Sequence, residues 1–263
     1  MGVLQDLFGL DGRVAVVTGG SKGIGMFYSE ALADAGGNVV VADIDPAAVA
    51  ETTDRLSETY PDHILGVVLD VTSRDSVKAM VLQVDDRWGR LDILVNNAGL
   101  YSVLNQKETP WLIPEDEFDQ VMAVNVRGMY VCTVEALPLM ERNGWGRIIN
   151  IASGLAFKGS PGLMHYAASK GAVVNLTRSM ATALGEKGIN VNALAPGGTA
   201  SPTVIAARGA GAAGMSERTA QNRIIKRVEV PEDLIGTLLY LSSPASGFLT
   251  GQTIVVDGGA YLH

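Results

Sequence analysis

The sequence predicts an α/β fold, a doubly wound parallel β-sheet with helices on both faces. Three observations point there. Short β-branched runs such as Val14–Thr18 and Ile148–Ala152 alternate with longer segments of helical pattern, which is how parallel sheets are assembled. The first run ends directly in a glycine-rich turn that opens a helix. Of 263 residues, 47% are hydrophobic, 18% are charged and 31 are Gly, matching near-continuous apolar strands joined by tight turns. That length suits one domain, 1–263, of ordinary size.

The first strand, Val14–Thr18, leads into Gly19-Gly20-Ser21-Lys22-Gly23-Ile24-Gly25 and a helical pattern through Ala35. Glycines let backbone N–H groups approach a pyrophosphate, and the helix dipole favours its charge. Alone, such a loop has a second reading as a plain tight turn. Strand and helix on either side favour a dinucleotide.

The second strand, Asn38–Ala42, ends at Asp43, 18 residues after Gly25. An acid there grips a ribose 2′-hydroxyl and repels a 2′-phosphate, which favours NAD over NADP. Lys22 pulls the other way, because an ammonium in the glycine loop meets a phosphate. Asp45 and Pro46 suit the cap and first turn of the next helix.

The third strand, Ile64–Leu69, delivers Asp70, Val71 and Thr72 to the C-terminal edge, where ligands lie in open α/β sheets. Asp70 has two readings: acceptor for an adenine amine, or part of a capping group with Thr72, Ser73 and Asp75 ahead of a helix over Ser76–Trp88. The fourth strand, Ile93–Val95, runs into Asn96-Asn97-Ala98-Gly99. Small and amide residues there leave room beside a nicotinamide ribose and tie the strand end to its neighbours.

Tyr101–Asp116, with Pro110 and Pro114, reads as a loop over the C-terminal edge. Glu117–Arg142 reads as one long helix carrying Asn125, an amide that ordinarily faces outward. The fifth strand, Ile148–Ala152, places Ser153 at its end, and a further helix runs to about Gly185. The sixth strand, Asn190–Ala193, leads to Pro196-Gly197-Gly198-Thr199. The segment 198–229 is rich in small residues and reads as a lid over a pocket or as a plain surface excursion. Pro231–Leu241 is the last full helix and Gln252–Val256 the final strand.

Tyr166 and Lys170 are four apart, so on a helix they share a face. An ammonium near a phenol favours the phenolate and brings its pKa down from about 10, which makes a general acid or base. Ser153 is placed to hydrogen-bond the oxygen whose charge changes. On spacing alone, Tyr166 and Lys170 also fit an ordinary surface pair.

The formal charge is −8 with no basic block, which argues against nucleic acid and anionic membranes as partners. Cys132 is the single cysteine, so no internal disulfide forms. The N-terminus lacks the pattern of a signal peptide and the apolar runs are strand-sized, so a soluble cytoplasmic protein is expected. His63, His165 and His263 have no ligand spacing, so no metal is expected. His165 reads as a pocket wall.

The whole pattern resembles the short-chain dehydrogenase/reductase family: Thr18–Gly25, Asp70, Asn96–Gly99, Asn125, Ser153, Tyr166-x-x-x-Lys170 and Pro196-Gly197 follow the family's order. The resemblance implies a Rossmann-type domain. It makes Tyr166 the acid/base, Ser153 the residue orienting the substrate oxygen, and Lys170 the group that lowers the Tyr166 pKa and holds the nicotinamide ribose. Asn125 would hold a relay water through its backbone at a helix irregularity. The cofactor is then held by Gly19, Ser21, Lys22, Gly23, Ile24 and Gly25, by Asp43, Asp70 and Val71, by Asn97, Ala98 and Gly99, and by Tyr166, Lys170, Pro196, Gly197 and Thr199. The substrate pocket is expected near Tyr101, Leu155, His165, Gly198 and Met215. Thr199 and Ser201 depart from the family's usual arrangement after Pro-Gly. Family members are usually homotetramers, and the same is expected here.

The leading expectation is an NAD-dependent enzyme interconverting a secondary alcohol and a ketone. The alternatives are a 3-oxoacyl-carrier-protein reductase, for which Arg127 and Arg178 are candidate docking residues, a sugar-acid dehydrogenase, and a non-catalytic dinucleotide-binding scaffold.

Overall fold

Seven parallel strands form one sheet in the order β3-β2-β1-β4-β5-β6-β7. The computed structural model describes residues 2–101, 104, 109, 112–209 and 217–262. The strands are β1 Val14–Thr18, β2 Asn38–Asp43, β3 Ile64–Val68, β4 Ile93–Asn96, β5 Gly146–Ile151, β6 Ile189–Pro196 and β7 Thr253–Val256. β5 starts two residues before its predicted start because Gly146 pairs with Ile189. β6 extends to Pro196, whose partner is Val256 on β7.

Alternation along the strands divides the core in two. Val14, Val16, Val40, Leu94 and Ile148 face one side, where α4 (Arg74–Trp88), α6 (Met129–Asn143) and α8 (Met164–Leu184) cover them with Val77, Met80, Met140 and Val173. Ala15, Val17, Val39, Val95 and Ile149 face the other, against Tyr28 and Leu32 of α2 (Gly23–Asp34), Leu56 of α3 (Pro46–Thr59) and Leu234 and Leu238 of α10 (Glu232–Ser242). Burying a Val or Leu side chain contributes about 1.5–3 kcal/mol, so these two layers hold the sheet. A short α1, Val3–Phe8, precedes β1 and buries none of its residues.

The helix expected over Glu117–Arg142 is broken in its middle. α5 spans Glu115–Met122, then Ala123–Gly128 is a π-helical segment, then α6 follows. Asn125 lies inside that segment and is buried, not outward-facing. The one-residue widening of a π turn rotates its side chains relative to those of the flanking helix. Two shorter helices complete the C-terminal edge, α7 Leu155–Lys158 and α9 Pro202–Arg208.

Candidate active site

The sheet order reverses between β1 and β4, and the strand ends there are tied together. Thr18 Oγ1 accepts the backbone N–H groups of Asn97 and Ala98 at 3.1 and 3.0 Å. Asn97 Nδ2 donates back to the carbonyls of Thr18 and Gly19, both at 2.9 Å. This knot shapes the crevice that opens at such a switch point. The glycine turn packs against it closely: a Cβ on Gly25 would lie 2.0 Å from the Gly19 carbonyl oxygen and 2.5 Å from Asn97 Nδ2. Only glycine fits there.

At the end of β2, Asp43 Oδ2 accepts from Ser21 Oγ at 2.7 Å and from the Ser21 N–H at 3.3 Å. Its carboxylate therefore links the glycine loop to the second strand while still lining the crevice. Lys22 pairs with Asp45, which also caps α3 by accepting from Ala47 and Ala48 N–H. That pairing raises the Lys22 pKa, with the Asp45 hydrogen bond as the main cause. The capping reading of Asp70 is met in part. Its Oδ1 accepts from the N–H and hydroxyl of Thr72 at 2.8 and 2.7 Å, whereas Ser73 is the cap of α4. Asp70 also borders the crevice.

Asn125 Oδ1 accepts from the Leu100 N–H at 2.8 Å, and its Nδ2 donates to Ser169 Oγ at 3.1 Å. Ser169 donates in turn to the Tyr166 carbonyl at 2.7 Å. The π segment is thereby coupled to the turn of α8 that carries Tyr166. The Lys170 ammonium donates to the Ile151 carbonyl at 2.7 Å and lies 5.7 Å from the Tyr166 ring centre.

The expected lowering of the Tyr166 pKa by Lys170 is not what this geometry produces. Burial pushes the phenol up, the neighbouring Tyr101 adds to the rise, and a hydrogen bond with Ser153 opposes it. Lys170 is itself buried, and desolvation pushes its ammonium down to about 8. A lysine near its own titration point and held on a carbonyl is a weak acidifier.

The loop after β6 is anchored from beneath. Gly197 N–H donates to Glu229 Oε1 at 3.1 Å, Thr199 Oγ1 donates to the same oxygen at 2.6 Å, and Ala200 N–H donates to the Glu229 carbonyl at 2.8 Å. A Cβ on Gly197 would lie 2.5 Å from Glu229 Oε2 and 2.8 Å from Asp257 Cβ, so this close approach also requires glycine. Asp257 accepts the N–H groups of Gly259, Ala260 and Tyr261, turning the last residues back over the site.

One cavity of about 990 Å³ joins these parts. Of the predicted residues, Gly19, Lys22, Gly23, Ile24, Gly25, Asp43, Asp70, Val71, Asn97, Ala98 and Gly99 line one arm. Ser153, Tyr166, Lys170, Pro196, Gly197 and Thr199 line the other. Ser21 and Asn125 stand behind the wall, holding Asp43 and Leu100. Tyr101, Leu155 and Gly198 border the cavity as expected. His165 does not: it is fully buried, with Nε2 2.9 Å from Glu117 Oε1. Position 165 precedes Tyr166 on α8, and a helical step of about 100° turns it from the cavity toward α5. Met215 lies outside the described residues. Arg178 lines a separate recess with Phe157 and Gln252.

Comparison with known proteins shows the family. A family model described as enoyl-(acyl carrier protein) reductase matches residues 19–261. The subunit BbsD of (2S)-[(R)-hydroxy(phenyl)methyl]succinyl-CoA dehydrogenase from Thauera aromatica is 36% identical over 258 residues, 97% of this chain and 98% of its own. The 3-oxoacyl-[acyl-carrier-protein] reductase FabG of Thermotoga maritima is 35% identical over 267 residues, 96% of this chain and 99% of its own. A crystal structure of a short-chain type dehydrogenase/reductase from Mycobacterium marinum superposes with a TM-score of 0.89 at 33% identity, covering 99% of this chain and 100% of that one. The chain belongs to the short-chain dehydrogenase/reductase family.

Short-chain dehydrogenases/reductases bind a nicotinamide dinucleotide, and the residues here fit one. Gly25 is packed so tightly that only hydrogen faces its neighbours, and one cavity is lined both by the glycine turn and Asp43 and by Ser153 and Tyr166. Among the described residues no cluster of His, Cys, Asp or Glu is arranged to hold a metal ion, and no helix is long and apolar enough to cross a membrane. Sequence reasoning missed Glu229 and Arg223, the ion pair under the Gly197–Thr199 loop. A signal existed: Glu229 stands between Val228 and Val230, a place where an exposed acid has no packing reason to be. Lys158 and Tyr261, whose ammonium and ring centre are 4.9 Å apart at the cavity lip, were also missed as pocket residues.

Proposed function

We propose that this protein is an NAD-dependent dehydrogenase that interconverts a secondary alcohol and a ketone. The observation that carries the reading is the meeting of Ser153, Tyr166 and Lys170 on one wall of a cavity whose far arm is the glycine loop. When bound, the nicotinamide accepts or supplies the hydride. The chain's own groups manage the proton and the geometry. Ser153 hydrogen-bonds the substrate oxygen, and Tyr166 in its phenolate form takes the hydroxyl proton and becomes the phenol as the C–H hydride departs, leaving a C=O. Lys170, on the Ile151 carbonyl, holds the ribose side and favours the phenolate whenever it is protonated. Asn125 keeps the π segment and α8 in register.

Asp43 supports NAD over NADP: a carboxylate at the end of β2 repels a 2′-phosphate. The relative from Thauera aromatica, by its name, is a dehydrogenase of a benzylic secondary alcohol. FabG-type relatives support the reductive alternative; Arg127 is exposed beside the cavity, where it donates to the Thr72 carbonyl at 2.9 Å, but Arg178 lies away from it, so the two do not form one docking patch at its mouth. The sugar-acid reading gains from Lys158, an exposed cation on α7 at the substrate end. We place the enzyme in the cytoplasm as a homotetramer, a state that light scattering tests directly. The activity is tested by steady-state assays of secondary alcohols and hydroxy acids with NAD⁺ and NADP⁺. NAD⁺-linked oxidation is the expected result, and a strong preference for NADP(H) overturns it.

A further inference from the structure

Under the nicotinamide side of the cavity lies an ion pair that none of the proposed chemistry uses. Arg223 Nη2 is 3.0 Å from Glu229 Oε2, with side chains only 1% and 5% exposed. Arg223 also donates to the carbonyls of Gly198 at 3.0 Å and Arg227 at 3.1 Å. A buried pair of this kind adds little net stability compared with apolar residues of the same shape, so its use must be sought in what it positions.

Both carboxylate oxygens of Glu229 are engaged as acceptors. Oε1 takes the Gly197 N–H and the Thr199 hydroxyl, and Oε2 takes the Arg223 guanidinium. With three donors on it, a guanidinium among them, the group works as an anion even though burial raises its pKa. The Thr199 hydroxyl has one proton and gives it to Glu229 at 2.6 Å. Toward the cavity, which Thr199 lines, the hydroxyl can then act only as an acceptor.

We infer that Glu229, held by Arg223, is a positioning residue that fixes Thr199 as an acceptor for the N–H₂ of a nicotinamide carboxamide. This rests on the nicotinamide part of the proposed function, and not on the choice between NAD and NADP or on the substrate. It makes the site selective for an amide over an acid at that position of the ring. An amide in place of Glu229 has a single acceptor oxygen, which cannot serve Arg223 together with Thr199 and Gly197; its N–H₂ would face other donors.

The test is equilibrium binding by calorimetry of NAD⁺, nicotinic acid adenine dinucleotide and ADP-ribose to wild type, Glu229→Gln, Thr199→Val and the double variant. The expected result is a roughly tenfold to hundredfold loss of NAD⁺ affinity in Glu229→Gln, the size of a charge-assisted hydrogen bond, with ADP-ribose affinity changed less than about twofold. The preference for the amide over the acid dinucleotide should narrow in the same variant, and the double variant should lose little more than Thr199→Val alone. Equal weakening of NAD⁺ and ADP-ribose means a merely structural role and overturns the inference, as does unchanged NAD⁺ binding. A Glu229→Gln protein that does not fold is replaced by Arg223→Met/Glu229→Leu, which keeps the volume without the charges and should show the same split between the two ligands. Wild type that binds ADP-ribose as tightly as either dinucleotide overturns this inference and the nicotinamide reading together.

Discussion

Lys170 and Tyr166 share a face of α8, yet the ammonium gives its hydrogen bond to the Ile151 carbonyl at 2.7 Å and stands 5.7 Å from the phenol ring centre. The two residues are therefore neighbours whose roles are separable. Of the pair, Tyr166 is the one whose hydroxyl is hydrogen-bonded with Ser153, and the proposed proton exchange rests on it. Tyr166→Phe should lower kcat by about 10²–10⁴, the usual contribution of a general acid or base, while NADH binding measured by fluorescence changes little. Turnover equal to wild type would remove Tyr166 from the reaction and favour a non-catalytic scaffold.

Lys170 should leave a mark on stability against pH. Burial pushes its pKa from 10.5 down to about 8, so between these values the unfolded chain holds a proton that the folded chain has released. Stability then rises with pH across that window, by on the order of 3 kcal/mol, and below pH 8 the full desolvation penalty is present. Tyr166 works oppositely only above pH 10, where its raised pKa begins to cost stability. Lys170→Met without ligand should be more stable than wild type at pH 7, and the gap should close between pH 8 and 10. Parallel Tm-against-pH curves for the two proteins would refute this.

Asp43 bonds Ser21 as well as facing the crevice, so its charge and its acceptor role must be tested apart. Asp43→Asn keeps an oxygen for Ser21 and removes the charge. The kcat/KM ratio of NAD⁺ to NADP⁺ should fall at least about tenfold, mostly through better use of NADP⁺. An unchanged ratio places cofactor discrimination elsewhere.

The Asn125 amide closes a chain from Leu100 through Ser169 to the Tyr166 carbonyl. Asn125→Ala leaves the half-buried Leu100 N–H without that acceptor, at a cost of about 1 kcal/mol. A drop in Tm of several degrees with a larger loss in kcat than in NADH affinity is expected. Asn125→Ala with wild-type Tm would mean that water replaces the amide at no cost.

The strands, the glycine turn and the shared helix face of Tyr166 and Lys170 were legible because they depend on local rules. A β-branched run makes a strand, a glycine lets the chain turn sharply, and a spacing of four aligns two side chains on a helix. Asp45 as a cap was legible for the same reason. Helix propensity alone would turn Asn125 outward, and only the resemblance implied a helix irregularity there, because a π turn is stabilised by contacts with Leu100 and Ser169, 25 positions earlier and 44 later. His165 was misplaced because adjacency to Tyr166 in sequence means a different face on a helix.

What the chain alone determined is an alternating α/β order with a phosphate-tolerant first turn and a phenol, hydroxyl and amine suited to proton exchange. What only the packed structure decided is the electrostatic state of that set and the support beneath it. Burial, a long-range property, raised Tyr166, lowered Lys170 and brought Arg223 and Glu229 together under Thr199. Desolvation depends on every neighbour in space, and no spacing along a sequence encodes which neighbours those will be.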